Sequence, residues 1–246
     1  LKLKILENRK LSDRDYLLKV KVPENSSNRV KPGQFAMVQV RKDNQFDPLL
    51  RRPFGIFDVE GDSISFLYRV FGRGTSLLTE AKGFIDVIFP LGNFINDNAS
   101  KFLFIAGGIG IGGIFLAAKL FHQRGKTVKV IYGERTGKNL SALEFLDRYG
   151  INYTVITEDG SVGKKGLVTD FLQDYTDFTW VACGPVQMLK EVKRKSEEVK
   201  AECFLSLDSR MACGIGACLG CVVKTPSGFK RVCVEGPIFN SKDVIL

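Results

Sequence analysis

The sequence predicts an N-terminal six-stranded antiparallel β-barrel, then an open parallel α/β domain, then a small C-terminal cysteine-rich loop domain. Three observations predict it. Residues 1–97 alternate short apolar runs with turn chemistry. Residues 98–201 alternate apolar strands with amphipathic helices. Residues 202–246 are dense in cysteine and glycine.

In the first segment Leu3–Leu6, Tyr16–Val22, Phe35–Val40, Ile56–Val59, Ile64–Val70 and Phe84–Phe89 read as strands. Pro23-Glu24-Asn25, Lys31-Pro32-Gly33, Gly61-Asp62 and Lys82-Gly83 punctuate them as turns. Short strands at this spacing suit a small barrel. Thr75–Ala81 reads as one short helix with Thr75 as its N-cap. Polar Asn96–Lys101 marks a linker. Beyond it come strand Phe102–Ala106 and a helix to Arg124, then strand Val128–Tyr132 and helix Ala142–Tyr149. Strand Tyr153–Ile156, helix Val168–Asp174, strand Phe178–Ala182 and helix Pro185–Val199 complete the series. Such βαβα repetition builds a parallel sheet with helices on its faces. Glu202–Leu246 is too short for a core of its own, and segments of that size need a metal or disulfides.

Composition narrows the class. The chain has 246 residues, 44% hydrophobic and 26% charged, which excludes a disordered, collagenous or coiled-coil protein. A net charge of +9 suits a phosphate-bearing cofactor or an acidic partner. Its positive charges are spread along the chain, with no long basic block interleaved with aromatics, so nucleic acid is not expected. The uncharged run Phe102–Ala118 holds five glycines and reads as strand, turn and buried helix start rather than a membrane span. The N-terminal LKLKILENRK has no apolar stretch, so no secretory leader is expected and a cytoplasmic location follows.

The sharpest signal is C-x4-C-x2-C-x11-C at Cys213, Cys218, Cys221 and Cys233. It matches plant-type [2Fe–2S] spacing. Gly214, Gly216 and Gly220 would supply positive φ angles for a wrapping loop and let backbone N–H groups approach the sulfur atoms. Structural zinc and inert buried thiols are the competing readings; disulfides fit poorly in a chain without an export signal. Cys203 reads as a structural thiol at a strand end.

Phosphate signals come next. Gly107, Gly108 and Gly110 lie between a strand and a helix, where backbone N–H groups can seat a dinucleotide phosphate. Cys183-Gly184-Pro185 follows another strand and opens a helix with Pro185 at its first position. Arg52-Pro53-Phe54 and Tyr68-Arg69 pair a cation with an aromatic ring, and Gly74-Thr75 opens the short helix. Together they point to a bound anionic cofactor. His122 stands alone on a helix and reads as packing. No Ser-His-Asp, Cys-His or paired-carboxylate constellation is present, so no catalytic residue is assigned.

This order of parts resembles the ferredoxin-NADP reductase superfamily over essentially the whole chain. The tail LSLDSRMACGIGACLGCVV resembles the electron-transfer subunits of class 1B dihydroorotate dehydrogenase, as do KPGQF at 31–35, RRPF at 51–54, YRVFGRGT at 68–75 and FPLGNF at 89–94. The resemblance implies FAD bound by Arg52, Pro53, Phe54, Gly55, Leu67, Tyr68, Arg69, Gly74 and Thr75. It implies one [2Fe–2S] cluster on Cys213, Cys218, Cys221 and Cys233, and NAD(H) at Gly107, Gly108, Gly110, Cys183, Gly184 and Pro185. It also implies an FMN-containing catalytic partner, two copies of each subunit, and an electron relay from that partner through the cluster and FAD to NAD+ in pyrimidine biosynthesis. The cluster is expected to pack on the other two domains and face the partner. Gly55 departs from the family, which usually has Ser or Thr there. Glu134-Arg135 offers both an acid and a cation where ribose selectivity is often set; the family favours NADH. Rival readings are another reductase small subunit, such as that of a ferredoxin:NADP oxidoreductase or a sulfide dehydrogenase, and a zinc-stabilised nucleotide-binding module.

Overall fold

A computed structural model describes residues 1–41 and 46–246. The N-terminal layer comprises β1 (Lys2–Lys10), β2 (Asp15–Lys21), β3 (Phe35–Val38), β4 (Arg52–Gly55), β5 (Asp58–Glu60), β6 (Ser63–Arg69) and β7 (Phe84–Leu91). They form one antiparallel sheet in the order β4-β3-β7-β1-β2-β6-β5. The sheet curls until its far ends meet: Phe54 of β4 lies 5.7 Å, ring to ring, from Tyr68 of β6. Leu18, Val20, Val38, Ile64, Phe66 and Val87 fill the interior.

Seven strands appear where the sequence offers six. The run Ile56–Val59 is not a single strand. Ile56 N–H donates to Gln34 O and Phe57 N–H to Ser65 O, so the chain crosses there from one end of the sheet to the other. Ile56 then enters the barrel core and Phe57 the core of the α/β layer. Strand β6 is buried on both faces. Its Leu67 turns outward and packs with the α/β layer, which erases the polar alternation of a half-exposed strand. Helix α1 (Arg73–Leu78) starts earlier than expected, with Gly72 at the N-cap. Thr75 lies one turn inside, where its Oγ1 accepts from the N–H groups of Phe71 (2.9 Å) and Gly72 (3.2 Å).

The second layer contains β8 (Lys101–Gly107), α2 (Ile111–Gln123), β9 (Thr127–Glu134), α3 (Leu143–Arg148), β10 (Tyr153–Thr157), β11 (Lys164–Lys165), β12 (Thr179–Cys183), α4 (Val186–Glu198) and β13 (Cys203–Ser206). The apolar run at 102–118 is thus a strand, a turn and a buried helix. Among the described residues no helix is long and apolar enough to cross a membrane. The expected helix Val168–Asp174 is only a 3-10 turn, Val168–Phe171. Asp170 accepts the N–H of Leu167 at 2.8 Å, and Trp180 Nε1 holds the Tyr175 carbonyl at 2.8 Å, which turns the chain back. Pro185 is the N-cap of α4 rather than its first residue.

The C-terminal segment is not set apart from this layer. Strand β13 pairs in parallel with β12, and β16 (Ile238–Asn240) pairs antiparallel with β13, giving the sheet order β11-β10-β9-β8-β12-β13-β16. A boundary at residue 202 would cut through the sheet, because Cys203 and Leu205 are part of its core. The cysteine arm, with its hairpin β14 (Val222–Thr225) and β15 (Gly228–Arg231), is instead an insertion between β13 and β16. Cys203 begins β13 rather than ending a strand.

A buried ion pair joins the two layers. Lys119 of α2 donates to Asp58 Oδ1 (2.6 Å) and the Val59 carbonyl (3.1 Å), with both charged side chains nearly inaccessible. Burial pushes the Asp58 carboxyl up against the pull of Lys119. Tyr149, the C-cap of α3, donates to Glu60 of β5 at 2.8 Å, and the Lys119 ammonium lies 4.4 Å from the Tyr149 ring. Removing one member strands the other charge in a dry seam. Lys119→Met should cost about 3 kcal/mol, a Tm fall of roughly 6–12 °C at this chain length. Adding Asp58→Leu should restore most of it; thermal denaturation of the two variants checks both.

Candidate functional site

A cleft of about 550 Å³ opens where the two layers and the arm meet. From the barrel it takes Pro53, Phe54 and Gly55 of β4 and Leu67, Tyr68 and Arg69 of β6. The α/β layer contributes Gly107, Gly108 and Gly110 after β8, and Cys183, Gly184 and Pro185 after β12. All six sequence-predicted nucleotide residues therefore share one cavity with six of the nine predicted flavin residues. The other three, Arg52, Gly74 and Thr75, cluster beside it. Arg52 Nε comes within 3.2 Å of where a Gly74 Cβ would stand, and its Nη1 donates to the Leu50 carbonyl at 2.8 Å.

Backbone closeness shapes this cavity. A Cβ on Gly110 would stand 2.3 Å from the Cys183 carbonyl oxygen, so only glycine lets the two strand-end loops touch. The turn delivers backbone N–H groups at the start of α2 with no side chain in front of them, which suits an anionic phosphate. Gly55 is required for the same reason: its Cβ would fall 2.8 Å from Gly113 Cα. The departure from Ser or Thr at this position thus has a steric cause, since a hydroxymethyl group there would collide with α2.

Arg69 is more committed than its sequence context suggests. Its Nε and Nη2 form a fork on Asp15 (2.7 and 2.8 Å), and Nη2 also donates to Glu134. The Asp15 carboxylate, with Glu134 behind it, drives the guanidinium pKa still higher, so the cation is permanent. Glu134, the acid at the end of β9, is therefore turned inward and spent on an ion pair, whereas Arg135 beside it is exposed. Sequence reasoning missed several lining residues: Phe71, Ile109, Ser206, Asp208, Met211 and Pro237. Of these Phe71 lay inside YRVFGRGT, and Ser206, Asp208 and Met211 inside LSLDSRMACG, but no spacing rule marks any of them. His122 does not line the cleft.

The four arm cysteines approach as two pairs. Cys213 interacts with Cys218, and Cys221 with Cys233. Backbone N–H groups converge on the sulfurs: Ile215 on Cys213 (3.5 Å), Gly220 on Cys218 (3.4 Å) and Cys233 on Cys221 (3.4 Å). The Ile215 and Cys218 N–H groups, with the Cys218 thiol, pull the Cys213 thiol down to about 6. Burial, with the Cys221 thiol beside it, pushes Cys233 up to about 11. Such N–H donors stabilise thiolate charge, as a metal-binding loop requires. Among the described residues no three His, Cys, Asp or Glu side chains gather around one point closely enough to hold an ion. None of the six cysteines is in a disulfide. Gly214 and Gly216 take positive φ (72° and 85°) as expected, but the third such residue is Leu219 (56°), not Gly220. A Cβ on Gly220 would lie 3.5 Å from Cys218 Sγ, an ordinary contact, so sterics among the described residues do not demand glycine there. The arm packs on both layers. Met211, Cys221, Val232 and Cys233 share a core with Phe35 and Met37 of β3 and with Leu205 of β13.

Gly110→Ala should force the loops after β8 and β12 apart and lower the Tm; thermal denaturation of the variant checks this.

Comparison with known proteins adds the family. Residues 208–245 match the family described as the iron-sulfur cluster binding domain of dihydroorotate dehydrogenase B. The chain is 40% identical over 98% of its length to a dihydroorotate dehydrogenase B (NAD(+)) electron transfer subunit homolog of Aquifex aeolicus, covering 97% of that protein. It is 36% identical over 99% of its length to the electron transfer subunit of Clostridium acetobutylicum, covering 96% of it. Among solved structures, an NADH-dependent reduced ferredoxin-NADP oxidoreductase superposes with a TM-score of 0.87 at 26% identity, over 99% of this chain and 89% of that one. Phthalate dioxygenase reductase superposes with a TM-score of 0.66 at 18% identity, over 80% and 64%, which shows the shared reductase fold. With a cysteine arm of the matching family and full-length relatives at this identity, the chain belongs to the family of dihydroorotate dehydrogenase B electron transfer subunits.

Proposed function

We propose that the chain is the electron-transfer subunit of an NAD-dependent dihydroorotate dehydrogenase, relaying electrons from an FMN-containing catalytic partner to NAD+. One observation carries the reading: the barrel strands β4 and β6, the glycine turn after β8 and the foot of the cysteine arm all open into a single cleft. In this reading residues 1–97 hold FAD, with Phe54 and Tyr68 as an aromatic wall and Arg52, Gly74 and Thr75 on its flank. Residues 98–201 hold NAD(H) at Gly107, Gly108, Gly110, Cys183, Gly184 and Pro185. The arm inserted between β13 and β16 holds one [2Fe–2S] cluster on Cys213, Cys218, Cys221 and Cys233, and two copies of each subunit assemble.

When bound, a flavin would convert between single electrons and one two-electron hydride, and a cluster would carry one electron at a time. The chain's own residues do the rest. The turn before α2 seats phosphate through its N–H groups. The N–H groups around the arm sulfurs spread negative charge and make a loaded site easier to reduce. Lys119–Asp58 and Arg69–Asp15–Glu134 hold the barrel and the α/β layer at fixed separation.

Anaerobic titration with NADH, followed by absorbance and EPR, should bleach flavin bands and raise a [2Fe–2S] signal. Adding the FMN subunit and dihydroorotate should start NADH formation; a protein that stays colourless, or that the partner fails to stimulate, overturns the proposal. Cys221→Ser should lose most iron and acid-labile sulfide while FAD stays bound, as measured by metal and flavin analysis of the purified variant.

A further inference from the structure

The relay has a proton deficit. Reducing NAD+ takes two electrons and one proton for each NADH, and electrons that arrive through thiolate-held iron bring no proton with them. One proton must therefore enter the cleft in every turnover. The groups able to supply it are few. Arg69 lines the cleft but is a permanent cation clamped by Asp15 and Glu134. Tyr68 donates its hydroxyl hydrogen to Asn8 at 3.0 Å, and burial drives its pKa further up. The Cys183 thiol is buried and pushed up to about 12, with Ser206 as its hydrogen-bond partner. Asp208 remains. It follows β13, opens into the same cleft, and forms no salt bridge among the described residues.

We infer that Asp208 is the proton donor of the cleft, passing its carboxyl hydrogen inward when a bound flavin takes up its electron pair and recovering one from solvent. This rests on the proposed relay. The surroundings favour the role. Asp208 is accessible from the cleft yet enclosed by enough protein that desolvation raises its pKa, opposed only by the Ser209 N–H. The neighbouring group that feels its charge is the Cys183 thiol, which is neutral. The nearest basic residue in sequence, Arg210, is exposed. A carboxyl so placed is protonated over more of the working pH range than a surface one. The balance closes: the Asp208 O–H bond breaks, its proton and two electrons from the relay are joined on the flavin, and together they leave as the hydride that the nicotinamide ring accepts.

The test mixes the loaded, oxidised protein with dithionite under anaerobic stopped flow and reads the two-electron bleaching of the flavin band. Because the acid form is the donor, the wild-type rate should fall as pH rises through the Asp208 pKa. Asp208→Asn should slow two-electron flavin reduction about a hundredfold and flatten that profile, with flavin and iron contents unchanged; Asp208→Glu should restore most of the rate. A second readout does not depend on turnover. The infrared difference spectrum between oxidised and reduced wild-type protein should contain a carboxylic-acid carbonyl band that Asp208→Asn removes. An Asn variant with wild-type rate and pH profile, or a wild type without the band, overturns the inference. A wild type that holds no flavin overturns the relay instead.

Discussion

The backbone-to-backbone contact between the barrel and the first turn of α2 is the constraint on which the site depends. Gly55 meets Gly113, and a Cβ on Gly112 would come within 3.3 Å of the Leu67 carbonyl. Three positions without side chains let strands that should face a flavin lie against a helix start that should face a nucleotide phosphate. Any bulk inserted there would widen the cleft. The buried charges act on the same seam from either side, Lys119 with Asp58 at one end and Arg69 with Asp15 and Glu134 at the other. Dry, fully paired charges add little net stability, but they specify a single alignment because every shifted one leaves a charge unpaired.

Much of this was legible from residue pattern. Periodicity separated the two layers, since a sheet packed on one face alternates and a parallel sheet covered by helices does not. It failed where the chain serves both layers at once. Ile56 and Phe57 read as strand because they are apolar and adjacent, yet each belongs to a different core. Leu67 joins the α/β core from between Phe66 and Tyr68 of the barrel core for the same reason. Local propensity cannot report a partner from another layer. The helix expected after Leu167 failed differently: two side-chain hydrogen bonds to backbone outcompeted the helical ladder.

The candidate site divides along the same line. Glycine and cysteine spacing were visible because their chemistry is local: a turn needs glycine, and a sulfur loop needs its intervals. The roles of Arg69 and Glu134 were not visible. Both were singled out as ligand-facing groups, and the fold instead turns them on one another across 65 residues of sequence. Asp208 escaped notice because a lone carboxyl beside a cysteine motif carries no spacing signature.

The insertion of the cysteine arm between β13 and β16 bears on how the chain can be shortened. Strand β16 is the outermost member of the α/β sheet and covers the open side of β13. A chain ending just after Cys233 would keep all four arm thiols, yet it would bare a row of unpaired β13 amides and carbonyls, the kind of edge that recruits other chains. The last residues thus act as a selvedge for the sheet, and solubility of a truncated form is governed by them rather than by the metal loop.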